Sequence, residues 1–177
     1  MSITRPFPFK KWIDENRHLL KPPVGNKVVF ENTEFIIMVV GGPNSRKDYH
    51  YNESEEFFYQ LEGDILVKIQ EEGKAVEVPI REGEIFLLPP KVPHNPGRGP
   101  NTIGLVIERK RREGEKDGLL WFCEKCNHKL FERYFKLENI MTQFQETFSH
   151  FYGSPDLRTC KQCGHVMEPP VPPRAES

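Results

Sequence analysis

His50, Glu56 and His94 supply two imidazoles and a carboxylate, and Cys123-Glu-Lys-Cys126 with Cys160-Lys-Gln-Cys163 supply two C-x2-C knuckles. The first set suits a divalent metal with open positions, because three protein ligands leave room for a substrate and for oxygen, as in non-haem Fe(II) oxygenases. Taken singly, each of the three also has a plainer reading: a strand-end histidine, a turn histidine and a solvated glutamate beside Glu55. The second set closes on itself. Each knuckle turns two thiolates toward one point, and two knuckles complete a tetrahedral all-thiolate site with no position left for a substrate, so this site is expected to be structural. Zinc and a single iron both suit four thiolates. Two disulfides, or buried thiols that fall in pairs, are the alternatives; the use of all 4 cysteines of the chain in C-x2-C pairs favours a metal. His128 and His165 each follow a knuckle by two residues. Four thiolates already fill the shell, so both histidines are assigned to solvent or to supporting contacts.

These side chains need elements to hold them. Phe9, Trp12, Ile13 and Leu20 fall at helix-compatible spacing, and Pro22-Pro23 stops that helix. Short β-rich runs follow over 28–31, 34–40, 56–62, 65–70, 76–80, 84–88 and 103–109, broken by Gly41-Gly42-Pro43-Asn44, Gly63-Asp64, Glu72-Gly73, Glu82-Gly83 and Pro89-Pro90. Many short strands with such turns predict a β-sandwich or barrel. His50 ends one extended run and Glu56 begins the next, which predicts that they face each other across a hairpin. Leu137, Ile140, Met141, Phe144, Phe148 and Phe151 form one apolar stripe of an amphipathic helix that faces the core or a dimer partner. The spacing divides the chain into a barrel with its N-terminal helix over 1–113, a cysteine-bearing extension with the amphipathic helix over 114–165, and a Pro-rich tail over 166–177, expected to be extended and mobile.

The frame around the ligands carries a resemblance. His50-x5-Glu56-x6-Gly63 followed by Gly83-x5-Pro89-x4-His94 resembles the two motifs of the cupin fold, a double-stranded β-helix or jelly-roll barrel. Asn52 stands where the usual first motif has a second histidine, which reduces a four-ligand set to three. Lys91 and Arg98 stand where the second motif usually has glycine and asparagine. The segments Gly41-Gly42-Pro43-Asn44 with Arg46, Asp48-Tyr49-His50, Glu55 to Gln60, Glu84 to Pro90, Val106 to Arg109 and both knuckles resemble the 3-hydroxyanthranilate 3,4-dioxygenases of the bacterial and fungal type, in order from Trp12 to Cys163. The animal branch of that family lacks the cysteine site and carries a second cupin half.

This resemblance implies ring opening of 3-hydroxyanthranilate by O2 to 2-amino-3-carboxymuconate semialdehyde. That product cyclises to quinolinate, the precursor of NAD on the kynurenine route of tryptophan catabolism. It also implies Fe(II) on His50, Glu56 and His94, a second Fe or Zn on Cys123, Cys126, Cys160 and Cys163, and a homodimer. Arg98, four residues past His94 on the same loop, reads by itself as a surface arginine; the family match gives it the substrate carboxylate. Arg46, four residues before His50, is placed by the resemblance beside O2, where a fixed cation stabilises negative charge. Strand parity puts Glu108 on one face with Val106 and Gly104, where a carboxylate is costly unless used. The plainer reading pairs it with Arg109 or Lys110; resemblance makes it the group that contacts the substrate hydroxyl and moves its proton. Glu56 and Phe58 share a strand face and line the substrate pocket in this reading, although Phe58 equally suits core packing.

Composition bounds the alternatives. The 177 residues hold 25 basic and 26 acidic side chains, a formal net charge of −1, which excludes a strongly basic nucleic-acid binder. A chain of this length buries roughly 70% of its unfolded surface and needs no disulfides for a core. The longest apolar run, Phe35 to Val40, is too short to span a bilayer, and Met1 to Trp12 holds no apolar stretch of signal-peptide length, so the chain is expected to be soluble and cytoplasmic. The competing function is a non-enzymatic metal-dependent sensor of a small carboxylic acid that uses the same ligands. Another cupin enzyme with the same ligands but without the arginine pair is a further competitor.

Overall fold

The computed structural model describes residues 3, 5–22 and 25–171. Of the tail expected over 166–177, residues 172–177 lie outside them, and its first residues are not free: Val166 bridges to Thr159 and Met167 is buried. Helix α1 (Phe9–Asn16) runs into a 3-10 turn (Arg17–Leu19) just before Pro22, as the spacing predicts. Its Ile13, with Leu20, packs on Val39 and Ile103 of the barrel. Leu20 comes so close to the sheet that a Cβ on Gly41 would fall 1.9 Å from its carbonyl oxygen, so only glycine allows this approach.

Eleven strands follow: β1 (Asn26–Val28), β2 (Phe35–Gly41), β3 (Tyr49–Tyr51), β4 (Glu56–Glu62), β5 (Ile65–Glu71), β6 (Lys74–Ile80), β7 (Ile85–Leu88), β8 (His94–Arg98), β9 (Ile103–Arg109), β10 (Asp117–Phe122) and β11 (Lys129–Phe135). They form a five-stranded sheet in the order β1-β2-β9-β4-β7 and a six-stranded sheet in the order β11-β10-β3-β8-β5-β6. Neighbours are antiparallel throughout. From β2 to β9 the chain switches sheets repeatedly, which is jelly-roll topology and matches the expected mainly β barrel. Phe58, Ile65, Val67, Ile80, Leu88 and Val106 fill the space between the sheets.

Two sequence expectations need correction. His50 and Glu56 do not face each other across a hairpin, because β3 and β4 belong to different sheets: His50 pairs with His94 and Leu119, Glu56 with Leu88 and Glu108. The stretch 52–55 is a crossing between sheets, which brings the two ligands together from opposite walls. His94 and Arg98 lie on a strand and not on a loop, since β5 pairs the whole of β8 from His94 to Arg98 despite Pro96 and Gly97.

Strands β10 and β11 were not expected; β10 pairs with β3 and so extends the six-stranded sheet. On them packs α2 (Ile140–Tyr152), whose first turn is capped by Asn139 Oδ1 accepting from Thr142 N–H at 3.0 Å. Phe144 and Phe151 of α2 join Leu119, Trp121 and Met167 in one buried cluster, with Trp121 stacked on Phe151 at 4.4 Å between ring centroids. The aromatic stripe therefore faces the core, which excludes the dimer-facing alternative for these rings. A four-residue helix α3 (Pro155–Arg158) leads to the second knuckle. Among the described residues, no helix is long and apolar enough to cross a membrane.

Candidate active site

Alternation along three strands sends matched sets of side chains into the barrel. On β4 these are Glu56, Phe58 and Gln60; on β8, His94 and Arg98; on β9, Gly104, Val106 and Glu108. Register sets Glu56 opposite Glu108, Phe58 opposite Val106, and Gln60 opposite Gly104. One polar end therefore gathers His50, Glu56, His94 and Glu108.

The donor atoms of His50, Glu56 and His94 all lie within 4.8 Å of one another. His94 Nε2 is 3.1 Å from Glu56 Oε2, and its Nδ1 is 3.0 Å from the Val92 carbonyl oxygen. An imidazole that donates from Nδ1 keeps the Nε2 lone pair for a metal. Burial alone would raise the Glu56 carboxyl, but the charge and hydrogen bond of a protonated His94, with the charges of His50 and Arg111, hold it below the ordinary range; a divalent cation bound in place of the imidazole protons would favour the same anion. Two nitrogens and one oxygen converging from two sheets fit a single divalent cation with open positions. Asn52 is not part of the donor set. It is buried and gives its Nδ2 to Glu108 Oε2 at 3.0 Å, with Glu56 Oε2 at 3.5 Å.

Glu108 is raised by burial and by the Glu56 charge, with Arg111 and His50 pulling the other way. Neither Arg109 nor Lys110 pairs with it. Arg109 binds Glu115 instead, while Arg111 Nη1 lies 2.9 Å from Glu108 Oε2. Asn52 and Arg111 thus both hold Oε2, and no described residue bonds Oε1.

Arg98 is 4% exposed at the other end of the same strand faces. Its Nη1 reaches Gln60 Oε1 at 3.3 Å, its Nε has no partner, and no carboxylate among the described residues pairs with it. Burial pulls the guanidinium down to about 10, which leaves it charged at neutral pH. A cation buried with one amide for company is an acceptor site for an anion. Between the two ends, Phe58 belongs to the barrel core and meets His94 edge-on at 6.4 Å. Arg46 lies at the rim, ion-paired with Asp48 through Nε and Nη2. Its guanidinium sits over Phe144 and Phe148 at 5.5 and 5.7 Å, and Phe144 in turn lies 5.6 Å from the His50 ring.

Sequence reasoning missed Gln60, Arg111 and Asp117. Arg111 was hidden in the Arg109-to-Arg112 basic run; Asp117 had a signal, since a carboxylate heads the otherwise apolar run Gly118 to Phe122.

The four cysteines are free thiols with sulfurs within 4.8 Å of one another. Cys123 Sγ is 3.6 Å from Cys163 Sγ and Cys126 Sγ is 3.5 Å from Cys160 Sγ. A tetrahedral metal with M–S near 2.3 Å requires edges of about 3.8 Å, so the set fits one ion. The knuckles are built alike: the N–H of Cys123 donates to the His128 carbonyl and that of Asn127 to Cys123, and the N–H of Cys160 donates to His165 and that of Gly164 to Cys160. His128 and His165 thus serve each turn through their backbone and stay outside the donor set.

The sequence profile of the 3-hydroxyanthranilic acid dioxygenase family matches residues 1–152. A 3-hydroxyanthranilate 3,4-dioxygenase of Xanthomonas campestris is 59% identical over 168 residues, covering 95% of each chain. The enzyme of that name from Bacillus cereus is 50% identical over 162 residues, 91% of this chain and 90% of its own. A solved cupin-2 domain protein from Shewanella frigidimarina aligns at 16% identity and a TM-score of 0.47 over 55% of this chain and 92% of its own. Identity of this extent, over a barrel that converges a His-His-Glu set and closes four cysteines on one point, places the chain in a family: it belongs to the 3-hydroxyanthranilic acid dioxygenases.

Proposed function

We propose that the protein opens the ring of 3-hydroxyanthranilate with O2, giving 2-amino-3-carboxymuconate semialdehyde, which cyclises to quinolinate for NAD synthesis. The observation that carries the reading is the pairing, in one barrel, of a three-donor metal set with a buried Arg98 that has no carboxylate partner among the described residues and whose Nε is unbonded. Fe(II) held by His50, Glu56 and His94 would supply the open positions and the redox chemistry that joining O2 to an aromatic ring requires. The remaining work falls to the chain. Arg98 takes the substrate carboxylate in paired hydrogen bonds and so fixes the direction of the ring. Phe58 and Val106, opposite each other, give the apolar middle against which the ring lies. Glu108, with Oε2 already held, offers Oε1 to the substrate hydroxyl; its raised pKa makes it the better base for that proton. Arg46, braced by Asp48 and two aromatic faces, supplies fixed positive charge at the rim where oxygen is bound.

In the same reading the four-cysteine site holds Fe or Zn and fastens α2 and the second knuckle to the barrel. Four free thiols suit a reducing cytoplasm. A homodimer is supported by the outer face of the five-stranded sheet, where Phe35, Ile85 and Leu87 are 51, 66 and 53% exposed. Beside them lies an apolar groove of about 560 Å³ lined by Phe7, Phe9, Phe30, Ile37 and Leu105. A second copy offers the same face, which is what a two-fold interface requires.

The deciding experiment loads the protein anaerobically with Fe(II), adds 3-hydroxyanthranilate and oxygen, and follows oxygen uptake and quinolinate. Wild type should consume 3-hydroxyanthranilate and oxygen and form quinolinate, and His94→Ala should lose catalytic iron and turnover while keeping the cysteine-bound metal. Intact iron binding without oxygen uptake would leave a small-acid sensor as the better reading.

A further inference from the structure

Two side chains, Asp117 fully buried and Arg111 10% exposed, stand behind the centre and join its parts. Asp117 opens β10 at 0% exposure, and its Oδ2 lies 2.7 Å from His50 Nε2. Arg111, in the connection between β9 and β10, grips the same carboxylate with two bonds: Nε to Oδ1 at 2.7 Å and Nη2 to Oδ2 at 2.6 Å. The third nitrogen, Nη1, is 2.9 Å from Glu108 Oε2 and makes no aligned hydrogen bond, so that link is a charge contact. One planar guanidinium therefore ties the carboxylate beside a metal-set histidine to the carboxylate assigned the substrate proton.

The chemistry of the three groups gives this bridge a use. An imidazole that donates one ring N–H to a carboxylate has its tautomer and ring plane fixed, which leaves the lone pair on its other nitrogen. Asp117 can do this only as an anion. An anion at zero exposure is costly unless a cation pairs with it in good geometry, and the two-bond fork of Arg111 provides that. A buried ion pair gains little stability over apolar packing of the same volume; what it does confer is orientation. The same guanidinium leaves Glu108 one oxygen held and one free.

We propose that Asp117 and Arg111 are positioning residues of this centre: Asp117 sets the tautomer and plane of His50, and Arg111 locks Asp117 to Glu108, so one buried bridge governs both metal affinity and proton handling. The inference rests on the reading of His50 as a metal ligand and Glu108 as the proton acceptor.

The test uses the full chain with its cysteine site filled beforehand with zinc, so that added Co(II) reports the His-His-Glu set through its visible spectrum. Asp117→Asn keeps the shape and removes the charge. Its Co(II) Kd should weaken roughly 10–100-fold, the usual effect of losing a partner behind a metal-bound histidine. Arg111→Lys keeps a cation beside Asp117 but loses the fork; Co(II) affinity should hold within roughly threefold while kcat on 3-hydroxyanthranilate falls about tenfold or more with KM little moved. A role in packing alone would lower the melting temperature and leave the Co(II) Kd and the kcat-against-KM split unchanged, and that pattern overturns the proposal. If Asp117→Asn does not fold, Arg111→Lys decides by itself: unaltered kcat in a folded variant refutes the bridge. A wild-type protein that binds Co(II) but never turns over 3-hydroxyanthranilate would sink the functional reading while leaving the Co(II) comparison valid, so the two failures are distinct.

Discussion

Gly104→Ala tests the carboxylate end of the site without touching a metal donor. Gly104 lies on β9 opposite Gln60, and an added Cβ would stand 2.7 Å from Gln60 Oε1 and 2.9 Å from Arg98 Nη1. Ordinary contact begins near 3.5 Å, so the amide and the guanidinium must each withdraw by roughly 0.6–0.8 Å. Both are ends of flexible side chains. The fold should tolerate the change, because an off-rotamer adjustment of about 0.5–1.5 kcal/mol is partly offset by about 0.4–1 kcal/mol from the stiffer unfolded chain. Orientation is less forgiving, since a misplacement near 1 Å can cost on the order of 100-fold in rate. We expect kcat/KM for 3-hydroxyanthranilate to fall roughly 10–100-fold, with metal content unchanged. The assay pairs that substrate with 2-aminophenol, which has the amino and hydroxyl groups and no carboxylate. With nothing for Arg98 to grip, 2-aminophenol should lose almost nothing on going from wild type to variant. Equal losses for both compounds, or no loss for 3-hydroxyanthranilate, would refute the assignment of Arg98.

Three further outcomes follow from the same structure. Cys160→Ser should release the metal of the cysteine site and lower the melting temperature by about 5 °C or more, while iron on the His-His-Glu set persists; loss of that iron from a chain that melts normally would contradict the division of roles. Ile85→Lys puts a charge on the exposed apolar sheet face and should shift a dimer to monomer in light scattering, with metal binding intact; an unchanged mass would place the interface elsewhere. Glu115 is held down to about 2, chiefly by its hydrogen bond from Arg109. Its folded pKa lies below its unfolded value of about 4.3, so its contribution is present above that value and is lost as the pH falls toward 2. Glu115→Gln should therefore flatten the urea stability profile between about pH 4.5 and 2 by less than about 1 kcal/mol, as fits a pair near the surface; a profile parallel to wild type would show the pair to be silent.

The sequence was most legible where one side of a strand is apolar and turns bracket it, as in β4 and β9, whose bounds match the expected runs. The two candidate donor sets were legible for a different reason, because few arrangements of His, Glu and Cys share such spacing, and the structure brings each set together. Long-range pairing was not legible. His50 and Glu56 sit close in the chain, and local reasoning favoured a hairpin; that each belongs to a different sheet depends on partners more than 30 residues away, Leu119 and His94 for one, Glu108 and Leu88 for the other. Strand β8 was masked by Pro96 and Gly97, which suit the loop expected from His94 to Arg98, whereas β5 pairs along them. Strand β11 was obscured by its charged, exposed face, and Arg111 by the run of basic residues around it.

The polarity of the site follows from strand period and register together. Inward positions two residues apart create layers across the barrel: Glu56, His94 and Glu108 in one, Phe58 and Val106 in the next, Gln60, Arg98 and Gly104 in the third. Outer layers separated by four residues lie about 13 Å apart at the backbone, and the long side chain of Arg98 narrows that gap. Antiparallel pairing of β4 with β9 forces the order, since Glu56 opposite Glu108 fixes Gln60 opposite Gly104. The third layer can hold a guanidinium only if a neighbour gives up its volume, and that is the position where the chain has glycine. In the proposed function, a flat molecule with coordinating groups at one end and a carboxylate at the other would meet the donor layer, the apolar layer and the cation layer in turn. A shift of one residue between β4 and β9 would point Glu108 out of the barrel. The register is therefore part of the catalytic apparatus, as much as any single ligand.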